Sequence, residues 1–272
     1  MKRLFFVLFL TMLHMPMWAQ VIIPTPQEMR IDREGKVSVT TTHERLNRHA
    51  KLPDEGYTIR ISAGKAVLTA KTEQGMIWAR QTLAQLRDEE GLYPQVTIKD
   101  WPAFPIRGFM HDTGRNYRPV ELLKKDLDLF SFYKLNVFHW HLTDHPGWRI
   151  ECKAYPQLNA PENMKKGRKE GSFYTYDEIR DVIRYARERG IMIIPEIDMP
   201  GHSDYFKNTF GFGMASEEGM QVLEACLKEF LKEIPRDLCP YIHIGSDEAS
   251  APDEKVPSGW LEPIVDRIRA AG

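Results

Sequence analysis

The chain has 272 residues, 42% of them hydrophobic, which suffices for one large domain or two smaller ones with a real core. A formal net charge of −1 gives no long-range pull toward nucleic acid or acidic membranes. The three cysteines, Cys152, Cys226 and Cys239, are scattered and odd in number, and they form neither a disulfide framework nor a Cys-x-x-Cys metal site.

Residues 1–19 read as a signal peptide. Lys2 and Arg3 form a charged start, residues 4–13 an apolar run too short to span a bilayer, and Ala19 a small residue at a cleavage point before Gln20. A retained anchor is the alternative. Export to the periplasm or the extracellular space is expected, without stable membrane insertion. No cysteine lies near the cleavage point to carry a lipid.

Residues 20–102 suggest a small α+β domain. Strands are expected over 37–41, 57–61 and 66–70, and a helix over 74–87 with Ile77, Trp78, Leu83 and Leu86 at helical spacing. Pro94 and the proline-rich stretch at 101–105 punctuate the chain after this helix, and the second marks the domain boundary.

From residue 103 to 272 strand and helix alternate. Strands are expected over 107–112, 136–141, 191–196 and 241–245. Helices are expected from Pro119 through Leu122, Leu123, Leu127 and Phe130, then over 176–189, 220–234 and 260–270. This rhythm predicts a parallel sheet. Polar residues follow each strand: Asp112; then Asp144; then Asp198 and His202; then Asp247 and Glu248. Function gathered at successive strand C-termini marks a (β/α)₈ TIM barrel. A doubly wound sheet would gather it at one switch point, and no glycine-rich nucleotide loop supports that fold. A whole barrel needs about 250 residues. Only about the first half is found here, so a longer protein is expected, because a half-barrel leaves edge strands and apolar faces uncovered.

Two constellations carry chemistry. In YIHIGSDE (241–248) a short apolar strand runs into small residues and then into Asp247 and Glu248, where alternation lapses and both acids can face one pocket. Paired acids suit glycosidic cleavage: one supplies a proton to the leaving oxygen and the other stays charged. Trp140, Trp148 and Arg107 are available as companions for a sugar. In HWHLTDH (139–145), His139 and His141 point the same way from one strand. With Asp198 and His202 they could bind a metal, which makes a metal-dependent barrel hydrolase the rival. A histidine pair bonded to its surroundings is the structural alternative.

HIGSDE at 243–248 resembles the His-x-Gly-Gly-Asp-Glu motif of glycoside hydrolase family 20, the β-N-acetylhexosaminidases. RGFMHDTGRNY (107–117), NVFHWHLTD (136–144) and PEIDMPGH (195–202) resemble that family's other blocks in the right order. EGYTIRIS (55–62) and QGMIWARQTLAQL (74–86) resemble its small N-terminal domain. The resemblance implies retaining hydrolysis of terminal, non-reducing β-linked N-acetylglucosamine or N-acetylgalactosamine, with a glycan as partner and no cofactor or metal. It implies that Glu248 is the general acid/base and that Asp247 orients the acetamido group. That group, not a carboxylate, attacks the anomeric carbon. Arg107 would bind sugar hydroxyls, and Asp144 and His202 would hydrogen-bond near the acid. Glu248 is expected in a partly apolar wall, and Asp247 among hydrogen-bond donors.

Ser246 stands where the family has a second glycine, and His145-Pro146 where Asp-Gln is common after Asp144. The family's pocket tryptophans, and a Tyr and an Asp that contact the sugar, come from later strands. A noncatalytic glycan-binding remnant is therefore the reading from another class.

Overall fold

Residues 22–249, 256 and 259–270 are described in the computed structural model. The expected signal peptide and its cleavage point lie outside the described residues, among which no helix is long and apolar enough to cross a membrane. The chain divides into two units between Ala103 and Phe104.

Alternating burial builds the first unit. Its strands are β1 (Glu28–Val37), β2 (Val39–Leu46), β3 (Tyr57–Ser62), β4 (Gly64–Ala70) and β5 (Tyr93–Asp100), in the sheet order β1-β5-β3-β4-β2. Only β2 and β4 pair in parallel. Ile59, Ile61, Ala66, Leu68, Val96 and Ile98 share one core with Met76, Trp78 and Ala79 of helix α1 (Glu73–Leu86). Thr72 caps that helix by accepting a hydrogen bond from the Gly75 N–H.

Two expectations fail here. The strand expected over 37–41 straddles Ser38, where β1 ends and β2 begins, because both strands are largely exposed and carry little apolar alternation. Pro94 does not end structure: it lies inside β5. The missing N–H is tolerated because β3 pairs only with Thr97–Asp100, while the β1 register is irregular beside Pro94.

The second unit alternates β6 (Gly108–Asp112), α2 (Val120–Phe132), β7 (Val137–His141), α3 (Tyr176–Glu188), β10 (Met192–Glu196), α5 (Glu217–Glu233) and α6 (Glu262–Ala270). A two-stranded hairpin, β8 (Thr143–Asp144) with β9 (Gly147–Trp148), and a short helix, α4 (Asp204–Phe210), were not expected from the sequence. Helix α3 shows why the sequence folds this way. Thr175 and Glu178 form a capping box, Ile179, Val182, Ile183 and Ala186 repeat on one buried face, and Gly190 closes the helix at φ 74°.

Strands β6, β7 and β10 form a parallel sheet with β7 in the middle, so strands consecutive in this rhythm lie side by side. The expected fourth strand, 241–245, is not a strand among the described residues. Only His243 exchanges backbone hydrogen bonds with β10, donating to the Pro195 carbonyl and accepting from the Ile197 N–H. Gly245 and Ser246 follow at positive φ, which ends the extended run, and Tyr241 is exposed rather than buried.

Trp140 and Trp148 are fully buried in this unit's core, where the Trp140 indole donates to Thr113 Oγ1, so neither offers a face to a sugar. The scattered cysteines are brought closer than their spacing suggests: Cys152 and Cys226 are both free thiols, with Sγ atoms 3.6 Å apart.

Candidate functional site

Parallel pairing places the last residues of neighbouring strands in one row. Asp112 of β6 is the register partner of His141 of β7, which in turn partners Glu196 of β10; Glu196 bridges to His243. The segments after these strands then fold over the same edge. This is how residues 112 to 248 come to one place.

Asp144 is the hub, and it is fully buried. Its Oδ2 lies 3.0 Å from His141 Nε2 and 3.1 Å from the Arg115 guanidinium, and its Oδ1 accepts the His145 backbone N–H at 2.6 Å. Burial alone would raise its proton affinity, but His141, Arg115 and the His145 N–H outweigh burial and hold the carboxyl below its usual range. His202 is buried at φ 51°, with Nδ1 3.9 Å from Asp144 Oδ1. Its Nε2 faces both late acids, at 3.2 Å from Glu248 and 3.4 Å from Asp247. His202 Nδ1 is nearer to His145 Nε2, at 3.2 Å, and to Arg115, at 3.3 Å, so His202 stands between the Asp144 cluster and the two late acids.

Two glycines permit this closeness. A Cβ on Gly114 would meet the Asp144 backbone N at 2.7 Å, and one on Gly245 would meet Asp198 Oδ1 at 1.7 Å. Asp198 accepts the Ser246 N–H at 3.1 Å. Burial, reinforced by the carboxylates of Asp247 and Glu196 against that one hydrogen bond, pushes Asp198 up to about 6. Ser246 sits at φ 85°, a conformation suited to the glycine it replaces in the motif.

Asp144, His202, Asp247 and Glu248 are brought together. The apolar wall expected around Glu248 is not present among the described residues, for its side chain is 79% exposed and that of Asp247 69%.

Arg107 is the residue that geometry removes. It precedes β6, at the end away from Asp112, and about 16 Å of strand separates the two. Its guanidinium donates to the carbonyls of Lys134 and Phe104, while its backbone N–H donates to Asn136 Oδ1. It ties the bottom of the strand to the turn after α2. Arg115, eight residues on in the same motif, takes the place at the site, paired with Asp112 at 2.9 Å and with Asp144. Arg107 precedes the start of β6 and Arg115 follows its C-terminal end, a placement that the direction of the strand decides. Arg115→Ala is expected to lower kcat/KM by about 10- to 100-fold, the value of a charged hydrogen bond, and Arg107→Ala to lower the melting temperature with little change in KM. Steady-state kinetics and thermal melts on both variants check this, and a raised KM in the Arg107 variant alone would restore the sequence-based assignment.

Among the described residues, four groups of histidines and carboxylates bring their ligand atoms within 4.8 Å of one another: His139–Glu196–His243, Asp144–His145–His202, Asp112–His141–Asp144 and Asp198–His202–Asp247. The first could hold a cation by residue type, but its spacing suits protons better. Within it, His139 Nε2 lies 2.6 Å from Glu196 Oε2, whereas ligands tetrahedral about zinc stand about 3.3 Å apart.

Comparison with known proteins agrees with this arrangement of segments. Residues 104–211 match the pattern described as "Glycosyl hydrolase family 20, catalytic domain", and residues 32–101 match "Glycosyl hydrolase family 20, domain 2". The first segment contains Arg115, Asp144 and His202; Asp247 and Glu248 lie beyond it. A β-hexosaminidase of Vibrio furnissii is 44% identical over 166 residues, covering 55% of this chain but 27% of the relative, so the chain spans about a quarter of that protein's length. A β-N-acetylhexosaminidase structure from Bacteroides fragilis has a TM-score of 0.74 at 29% identity, covering 92% of this chain and 60% of that one. An exo-β-N-acetylglucosaminidase from Vibrio harveyi, solved with N-acetylglucosamine, has a TM-score of 0.77 at 26% identity, covering 92% and 50%. With both family segments present in order, and the strand-end residues gathered on one edge, the chain belongs to glycoside hydrolase family 20.

Proposed function

We propose that the complete protein is a glycosidase that releases terminal, non-reducing β-linked N-acetylglucosamine or N-acetylgalactosamine from glycans, with retention and without a metal. One observation carries this reading: Asp247 and Glu248 converge on His202 Nε2, and Asp144 stands behind His202. Glu248 is the proton donor, and His202 with Asp144 couples its proton to the buried network. Asp247 orients the acetamido group and balances charge on the cyclic intermediate that this group forms by attacking the anomeric carbon. Arg115 is the cation at the site's edge for sugar hydroxyls. The exposure of both late acids and the row of parallel strands fit the first half of a (β/α)₈ barrel whose later strands would supply the remaining wall. Export through residues 1–19 is part of the proposal, as befits a hydrolase acting on glycans outside the cytoplasm.

The deciding assay uses a chromogenic β-N-acetylhexosaminide and the full-length protein, with and without a chelator. Turnover unaffected by the chelator is expected. Loss of activity on chelation would replace this reading with the metal-dependent one. Sugar binding without turnover would make the protein a binding module.

A further inference from the structure

Glu196 belongs to the row beneath the acids, and neither the motif nor the proposed reaction gives it a task. Its side chain is 4% exposed and surrounded by three imidazoles. Oε2 lies 2.6 Å from His139 Nε2 and 2.6 Å from His141 Nδ1, and Oε1 lies 3.2 Å from His243 Nδ1. Neither short contact is an aligned hydrogen bond, so they act as charge pairs. We propose that Glu196 is a positioning residue: it holds His141 doubly protonated from below, so that His141 fixes Asp144 between Arg115 and His202.

Valence requires the second proton. His141 Nε2 faces Asp144 at 3.0 Å and its Nδ1 faces Glu196 at 2.6 Å. A neutral imidazole has one N–H, so one of these buried carboxylates would face a lone pair. With both nitrogens protonated, each carboxylate has its donor. The groups around His141 agree. Asp112 approaches from β6, Glu196 from β10 and Asp144 from β8, while Arg115 and His202 are held beyond Asp144. Burial disfavours the imidazolium, but its hydrogen bond to Asp144 and its charge pairing with Glu196 outweigh it and push His141 up to about 10. Glu196 is held well below the carboxylate range, burial being overcome by His139 and His141.

This rests on the assignment of Asp144 and His202 to the reaction, so the test has an arm independent of activity. In protein labelled at histidine, the His141 ring signals, assigned with His141→Gln, are expected to stay flat from about pH 5.5 to 8.5, and in Glu196→Gln to titrate inside that window. In kinetics, Glu196→Gln is expected to add a fall in kcat/KM above neutral pH, about tenfold per unit beyond the new transition, and Glu196→Asp to restore part of the wild-type profile. Wild-type His141 titrating near its ordinary value overturns the proposal even if Glu196→Gln does not fold. So does a folded Glu196→Gln protein that loses activity while its His141 signal and pH profile stay unchanged, since that marks Glu196 as merely structural. Absence of activity in the wild type would fell the glycosidase reading and leave the resonance test standing.

Discussion

Arg149→Leu is expected to destabilise the second unit by about 3–5 kcal/mol, as much as any single substitution in it. Arg149 is fully buried, yet no carboxylate pairs with it among the described residues. Its guanidinium binds backbone carbonyls instead. Nε donates to Gly114 at 3.3 Å, Nη1 to Lys169 and Ser172 at 3.0 Å each, and Nη2 to Arg168 at 2.5 Å. Burial lowers its proton affinity, but an arginine stays charged regardless.

Leucine would remove every one of these donors. Each orphaned carbonyl costs about 1–3 kcal/mol, partly offset because the cation no longer has to be desolvated. Against a typical total of about 5–15 kcal/mol, this would shift a urea midpoint far, with the slope unchanged if the transition stays two-state. Lysine offers one flexible ammonium where the fork serves four carbonyls and the Met164 sulfur, and is expected to recover less than half of the loss. The site should suffer too, because the Gly114 carbonyl that Arg149 grips precedes Arg115 in the chain. A midpoint within experimental error of wild type would show that the loop at 164–172 does not depend on this side chain.

The second large effect separates the two acids. Glu248→Gln is expected to lower kcat/KM by about 10²- to 10⁴-fold on a chitobiose-type disaccharide, whose leaving alkoxide needs a proton. It should cost much less on an activated aryl glycoside, whose phenolate leaves unaided. Asp247→Asn should cost about 10²- to 10³-fold on both, because it destabilises the intermediate whatever leaves. Glu248 and Asp247 both stand beside His202 Nε2, so distance alone does not tell them apart, and the substrate dependence does. Equal losses for Glu248→Gln on the two substrates would remove it as the acid. Full turnover in Asp247→Asn would remove the acetamido group as nucleophile.

Much of the architecture was legible. Strands rich in β-branched and aromatic residues, such as 57–61 and 191–196, and helices with a continuous apolar stripe, such as 176–189, were recognised because burial imposes one period on each. β1 and β2 were not, since largely exposed strands need no alternation. The stretch at 241–245 misled for the opposite reason. Its apolar residues suit a strand, but a strand is a pairing, and only His243 pairs with β10 among the described residues.

The sequence by itself determined which chemistry was on offer: two adjacent acids after an apolar run, a histidine-rich strand end, and blocks in a recognisable order, all of which are local patterns. Only the tertiary structure decided which residues share a site. Arg107 and Arg115 are equivalent as letters eight places apart, and the direction of β6 sends one to each end of the strand. Glu196 looks like one more residue of an apolar strand until parallel register sets it beside His141. Arg149 looks like a surface cation next to a tryptophan until the loop from Arg168 to Ser172 closes its carbonyls around it. The contacts of Arg149 with this loop and of Glu196 with His141 span 19 or more residues of chain, and no periodicity within a segment reports on a neighbour that folding alone brings near.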